Sequence, residues 1–147
     1  MQQILPMFPE DLPVPIVIVQ HMPVGFTGPF AHRLNNLCKI TVREAAHEEP
    51  LQAGFAYIAP AGQHLTVARR GHKVMTRISA EPSKSLHIPS VDVMMLSIAE
   101  VFRALAMGII MSGKTVRASS MTSATIVMPF RSPRLSVSRL EASLYRG

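Results

Sequence analysis

The stretch Pro15-Ile16-Val17-Ile18-Val19-Gln20-His21 decides the fold. Residues 16–19 are four consecutive β-branched side chains, which suit extended backbone and are disfavoured in helices. A strand with one wet face would alternate apolar and polar residues. An unbroken apolar run instead marks a strand covered on both faces, as in a parallel sheet flanked by helices. The run stops at Gln20-His21-Met22-Pro23, so its polar residues fall at the carboxyl end of the strand, where open parallel sheets hold their ligands. His21 is therefore placed either as a catalytic base or as a hydrogen-bonded structural histidine, and position alone leaves both open.

Working outward, residues 1–15 are rich in proline and read as the tail of a helix and a loop feeding the strand. After the turn Val24-Gly25-Phe26, Thr27 is the expected helix N-cap and Pro29 suits the first turn. Phe30, Leu34 and Leu37 follow at helical spacing and should face the core. Short strands are expected over 55–59, 65–69 and 74–78, with a tight turn at Gly71. Leu65 and Val67 alternate with polar neighbours, which predicts an antiparallel, half-exposed hairpin. Ser90 is the expected N-cap of a second helix. Its first turn holds Asp92, and its apolar stripe is Val91, Met94, Met95, Ile98, Phe102 and Leu105. Residues 107–111 read as another buried strand, ended by Gly113. The fold class is α/β: a doubly wound, mostly parallel sheet with an antiparallel hairpin insertion.

Composition narrows the function. Apolar residues make up 48% of 147, enough to bury a core and too many for a disordered chain. One cysteine, Cys38, allows neither an intrachain disulfide nor a multi-cysteine zinc site, and reads as a structural thiol. The six histidines, His21, His32, His47, His64, His72 and His87, include no i,i+4 pair and no cysteine pairs with them, so no metal site is expected. No apolar run nears the ~18 residues of a membrane helix. Pro6, Pro9, Pro13 and Pro15 break any leader-like segment, so a reducing, cytoplasmic setting is expected. The net charge of +6 is uneven: residues 1–113 hold nine Lys/Arg against eight Asp/Glu, and residues 114–147 hold six against Glu141 alone. The tail's arginines lie among seven serines, with Phe130 and Tyr145 its aromatic residues, so it lacks the stacking pattern of a nucleic-acid binder.

Several motifs carry a family likeness. Gln20-His21-Met22-Pro23-Val24-Gly25-Phe26-Thr27 with Phe30-Ala31 and Arg33-Leu34, then Glu44-Ala45, Ala56-Tyr57-Ile58-Ala59-Pro60, Gly62 with His64, and His87-Ile88-Pro89-Ser90-Val91-Asp92 occur in register. Together with residues 107–113 they resemble the catalytic domain of the chemotaxis protein-glutamate methylesterases, over roughly residues 4–113. The resemblance implies a serine hydrolase using a Ser-His-Asp triad and no cofactor, with His21 as the catalytic histidine. The implied substrates are glutamate methyl esters, and glutamines for deamidation, on methyl-accepting chemotaxis receptors. It also implies a receiver domain or a methyltransferase as a possible companion in the parent protein. Residues 1–113 are the expected partial catalytic domain.

Two departures accompany the likeness. The family's nucleophile sits in a Gly-Ala-Ser-x-Gly-Gly turn upstream of the helix in which this sequence starts, at Ile4-Leu5-Pro6, and no Gly-x-Ser-x-Gly occurs elsewhere. Ser90 and Ser112 are poor substitutes: one reads as a cap and the other ends a strand. The family's acidic loop, Thr-Gly-Met-Gly-x-Asp-Gly-Ala, is met by Ser112-Gly113 and then Lys114-Thr115-Val116-Arg117, which sets Arg117 where the triad aspartate belongs. Codons for residues 114–118, read two bases later, can encode Asp-Gly-Ala-Arg. The tail 114–147 is therefore expected to be off-frame or irregular. With the family's first strand absent, the strand over 16–19 is expected to keep an unpaired edge and the chain to be poorly soluble. The alternative function is an inactive remnant that keeps only partner-binding surface.

Overall fold

The central strand β1, Ile16–Gln20, is buried at every residue, as its continuous apolar run requires. Its side chains alternate between two cores. Ile16 and Ile18 pack with Leu5, Phe8, Leu34 and Ile58, whereas Val17 and Val19 pack with Tyr57, Leu65, Met94 and Ile98. The structure, a computed structural model, describes residues 1–83, 85–111 and 124–129.

Helix α1 (Thr27–Asn35) and the proline-rich start cover the first face, with a single 3₁₀ turn at Leu5–Met7. Strands β2 (Thr41–Glu44) and β3 (Phe55–Ile58) join β1 in a parallel array, with Ile18 opposite Ile58 and Val42 opposite Ala56. The second face is covered by the hairpin β4 (His64–Arg70) and β5 (Lys73–Ser79) and by helix α2 (Val91–Phe102). Strand β6 (Ala106–Met111) and strand β7 (Ala124–Pro129) complete a five-stranded sheet in the order β2-β3-β1-β7-β6. With packing on both faces of a sheet that is parallel over β2-β3-β1 and antiparallel over β1-β7-β6, the expected α/β class holds.

Local chemistry explains most elements. Gly71 adopts φ +60° between β4 and β5, a conformation an L side chain resists. Ser90 caps α2 by accepting a hydrogen bond from the Val93 N–H at 3.4 Å. Ser97 then ties α2 to the hairpin, accepting from the Val67 N–H at 3.1 Å and donating to the Met94 carbonyl at 2.7 Å. Cys38 packs against the first core, and burial pushes its thiol pKa up. Burial also pushes the Tyr57 phenol up, against the opposing pull of the Gln52 N–H and the Arg43 guanidinium.

Several expectations need correction. Thr27 is not the cap of α1: the helix starts at Thr27 itself, with Phe26 in the cap position, and the threonine hydroxyl bonds elsewhere. Leu37 lies past the end of α1 and is 51% exposed. Leu105 falls in a 3₁₀ turn after α2 and is 45% exposed, so the stripe ends at Phe102. Strand β2 was not foreseen, because Thr-Val-Arg-Glu has one apolar residue, Val42, to signal it. The tail is not wholly irregular: Ala-Thr-Ile-Val-Met-Pro forms β7, antiparallel to both β1 and β6. The expected unpaired edge of β1 is filled by β7, with Val17 opposite Val127 and Ile18 opposite Ile126.

Candidate active site

The carboxyl ends of β1, β2 and β3 lie side by side because the three strands are parallel and in register. Each end delivers a polar group. His21 follows β1 directly, Glu44 closes β2, and the turn 59–62 follows β3. The Thr27 hydroxyl, buried at the first turn of α1, links two of these ends. It donates to Glu44 Oε1 and accepts from the Ala61 N–H at 3.2 Å.

His21 is partly exposed and opens onto a cavity of about 570 Å³, lined also by Gln2, Gln3, Gln20, Met22 and Phe30. The side chains of that lining are amide and apolar apart from His21 itself, and Met1 and Pro23 complete it. The larger hollow, about 780 Å³ between β4 and the end of α2, does not include His21.

The orientation of His21 is set by a peptide group. Its Nε2 donates to the Pro89 carbonyl at 2.7 Å, since a carbonyl can only accept. In the neutral ring Nδ1 then holds a lone pair and can take a proton. The His87 ring lies beside it, 5.4 Å between centroids and tilted by 55°. His64 stands nearby in sequence motif and in space: it is fully buried, donates from Nε2 to the Pro82 carbonyl at 3.2 Å, and accepts at Nδ1 from the Ser90 N–H at 3.0 Å.

The motifs picked out in the sequence thus converge on one region. The histidine motif supplies His21, and the His87–Asp92 motif supplies its carbonyl partner. Sequence reasoning assigned no task to Pro89, His64 or His87, although all three lie in quoted motifs. Ser90 is engaged as a helix cap, in keeping with the cap reading. Ser112 and Arg117 lie outside the described residues. Among the described residues no three His, Cys, Asp or Glu side chains converge as metal ligands, and no helix is long and apolar enough to cross a membrane.

Comparison with known proteins fixes the lineage. The family model described as CheB methylesterase matches residues 1–116. The chain belongs to the CheB methylesterase family. Among similar proteins, the protein-glutamate methylesterase/protein-glutamine glutaminase of Lawsonia intracellularis is 43% identical over 112 residues, covering 76% of this chain and 31% of that protein. The protein of the same name from Desulfitobacterium hafniense is 44% identical over 114 residues, covering 77% of this chain and 29% of that protein. The crystal structure of the Thermotoga maritima CheB methylesterase catalytic domain superposes with a TM-score of 0.66 at 37% identity, covering 69% of this chain and 54% of that one. The chain spans about a third of the length of the curated methylesterases it matches. Strand β7 lies beyond the residues the family model matches.

Proposed function

We propose that this chain carries the general base of a protein-glutamate methylesterase, and that His21 is that base. The observation that carries the reading is the setting of His21: the carboxyl end of β1, a cavity lined by amide and apolar side chains in front, and an Nε2–H held by the Pro89 carbonyl. The reaction requires a serine, which the family order puts N-terminal to residue 4. His21 takes the serine proton as the hydroxyl attacks the γ-carbonyl of a glutamyl methyl ester. The tetrahedral intermediate collapses when the imidazolium returns the proton to the leaving methoxide, releasing methanol. Water, deprotonated by the same imidazole, then cleaves the acyl-enzyme to a free carboxylate. With glutamine the leaving group is ammonia. The substrates are methyl-accepting chemotaxis receptors, which puts the reaction in the cytoplasm, and a receiver domain or a methyltransferase is the companion expected in a longer parent chain.

The carbonyl of Pro89 supplies orientation, as a triad aspartate would, but it carries no full charge and stabilises an imidazolium less well than a carboxylate does. That difference makes the acidic loop matter, and one sequence observation there favours a second reading. Lys114-Thr115-Val116-Arg117 stands where the family has its acidic residue, and a cation there cannot support an imidazolium, so the chain as written is an inactive remnant.

Methanol release from a radiomethylated chemoreceptor fragment tests the first reading, using the gene product that carries this sequence. His21→Asn should lower release by roughly 10²–10⁴-fold, the usual contribution of a general base. Release that ignores His21→Asn would overturn it. The mass of the C-terminal peptide decides between the readings. A peptide with Asp-Gly-Ala after Gly113 restores the acidic member of the triad and indicates a change of reading frame in the sequence as written, whereas the tail as written supports the remnant.

A further inference from the structure

We infer that His64 is a positioning residue for His21, acting through the single peptide group that joins Pro89 to Ser90. The inference rests on the reading of His21 as a base for its catalytic consequence, but its geometry stands independently. The Pro89 carbonyl accepts the His21 Nε2–H at 2.7 Å, and the Ser90 N–H donates to His64 Nδ1 at 3.0 Å. Carbonyl and N–H belong to one planar trans unit and point in opposite directions, so holding one sets the direction of the other. Two imidazoles therefore grip the same peptide plane from its two sides.

The direction of every bond in this line is fixed. A backbone N–H cannot accept and a carbonyl cannot donate, so His64 is neutral, bare at Nδ1 and protonated at Nε2, where it donates to the Pro82 carbonyl at 3.2 Å. The ring is fully buried at the start of β4, on the core shared with α2. It thus anchors residues 82 and 90, the two ends of the segment that brings His87 and Pro89 to His21. When His21 gains a proton, its stronger pull on the Pro89 carbonyl polarises the peptide and strengthens the Ser90 N–H bond to His64 Nδ1. The line thus holds the His21 ring through bonds already in place, with no proton leaving His64.

The test uses the whole 147-residue chain, uniformly labelled with ¹⁵N. In the unaltered protein, a scalar coupling across the hydrogen bond from the Ser90 N–H to His64 Nδ1 is expected, and its absence would overturn the inference without any substitution. Two variants of similar size then separate positioning from packing. His64→Asn retains an acceptor near the Nδ1 position, whereas His64→Gln retains a donor near Nε2 and loses that acceptor. Exchange of the His21 Nε2–H with water should rise about tenfold in His64→Gln, as one hydrogen bond's protection is lost, and stay near the unaltered rate in His64→Asn. Equal changes in both variants, or none in His64→Gln with the backbone amide spectrum intact, would reduce His64 to a packing residue. If instead methanol release proves indifferent to His21, these couplings and rates are unaffected, so failure of the esterase reading is distinguished from failure of the positioning.

Discussion

The two edges of β1 make an instructive contrast. On one edge β3 pairs with it in parallel, Ile16 to Ala56 and Ile18 to Ile58, and both strands lie inside the stretch that matches the methylesterase family. On the other edge β7 pairs antiparallel, Ile18 to Ile126 and Gln20 to Ala124, and β7 comes from the basic tail beyond that stretch. A buried strand must satisfy its backbone N–H and C=O groups on both sides, and an extended neighbour does this whichever way it runs. What the direction does change is where polar groups arrive. Parallel neighbours send their carboxyl ends to the rim with His21, whereas β7 starts there and ends at the opposite rim. The site is thus built by the matched edge, and the other edge supplies backbone pairing.

If both edges matter, the largest effect should come from removing one. Deleting residues 114–147 takes β7 from between β1 and β6 and exposes two strand edges. The shortened chain should lose its cooperative thermal transition and self-associate, as followed by circular dichroism and light scattering. A sharp melt of the shortened monomer would show that the β7 edge contributes nothing. The next effect lies within the matched region. Ile18→Ala should cost about 2–5 kcal/mol by urea denaturation, because the side chain is fully buried beside Ile58 and Leu34. A cost near zero would mean that β1 is not packed as described.

The smallest effect is a pH slope at Tyr57, on the hairpin side of the sheet. Burial raises its phenol pKa above the unfolded value of about 10, so the folded state holds this proton more tightly. Its contribution is fully present below pH 10 and is lost as pH rises through the folded value. Tyr57→Phe should cost about 0.5–1.5 kcal/mol at neutral pH, through lost bonds to the Gln52 N–H and the Pro50 carbonyl. The gap between the two proteins should then narrow above pH 10. Urea midpoints at pH 7, 9, 10 and 11 read this directly, and a constant gap would count against the burial argument.

Much of the matched region was legible because its signals are local. Four β-branched residues in a row can only be a strand wet on neither face, and Ser90 followed by Val91 and Asp92 spells a helix start. Thr27 looked like a cap because caps and hydrogen-bonded interior threonines are the same residue before α1; the partner that decides between them, Glu44, comes from another strand. Leu37 and Leu105 were misassigned for a related reason: periodicity carries past a helix end that the backbone has already made. β7 was hidden by brevity, six residues from Ala124 to Pro129 among serines and arginines, without partners visible in one dimension. At the candidate site, the place of His21 at the end of β1 was legible from the apolar run that precedes it. The part played by Pro89 was not, since a backbone carbonyl has no letter of its own.

The Thr27 hydroxyl leaves a mechanical consequence. It joins the first turn of α1 to the end of β2 through Glu44 and to the turn after β3 through Ala61. Three segments distant in sequence are thereby fastened at one point, and none can swing outward without pulling on the other two. A ligand pressing on the 59–62 turn would load the base of α1 and the tip of β2 at once, so this side of the rim yields as a single stiff ledge.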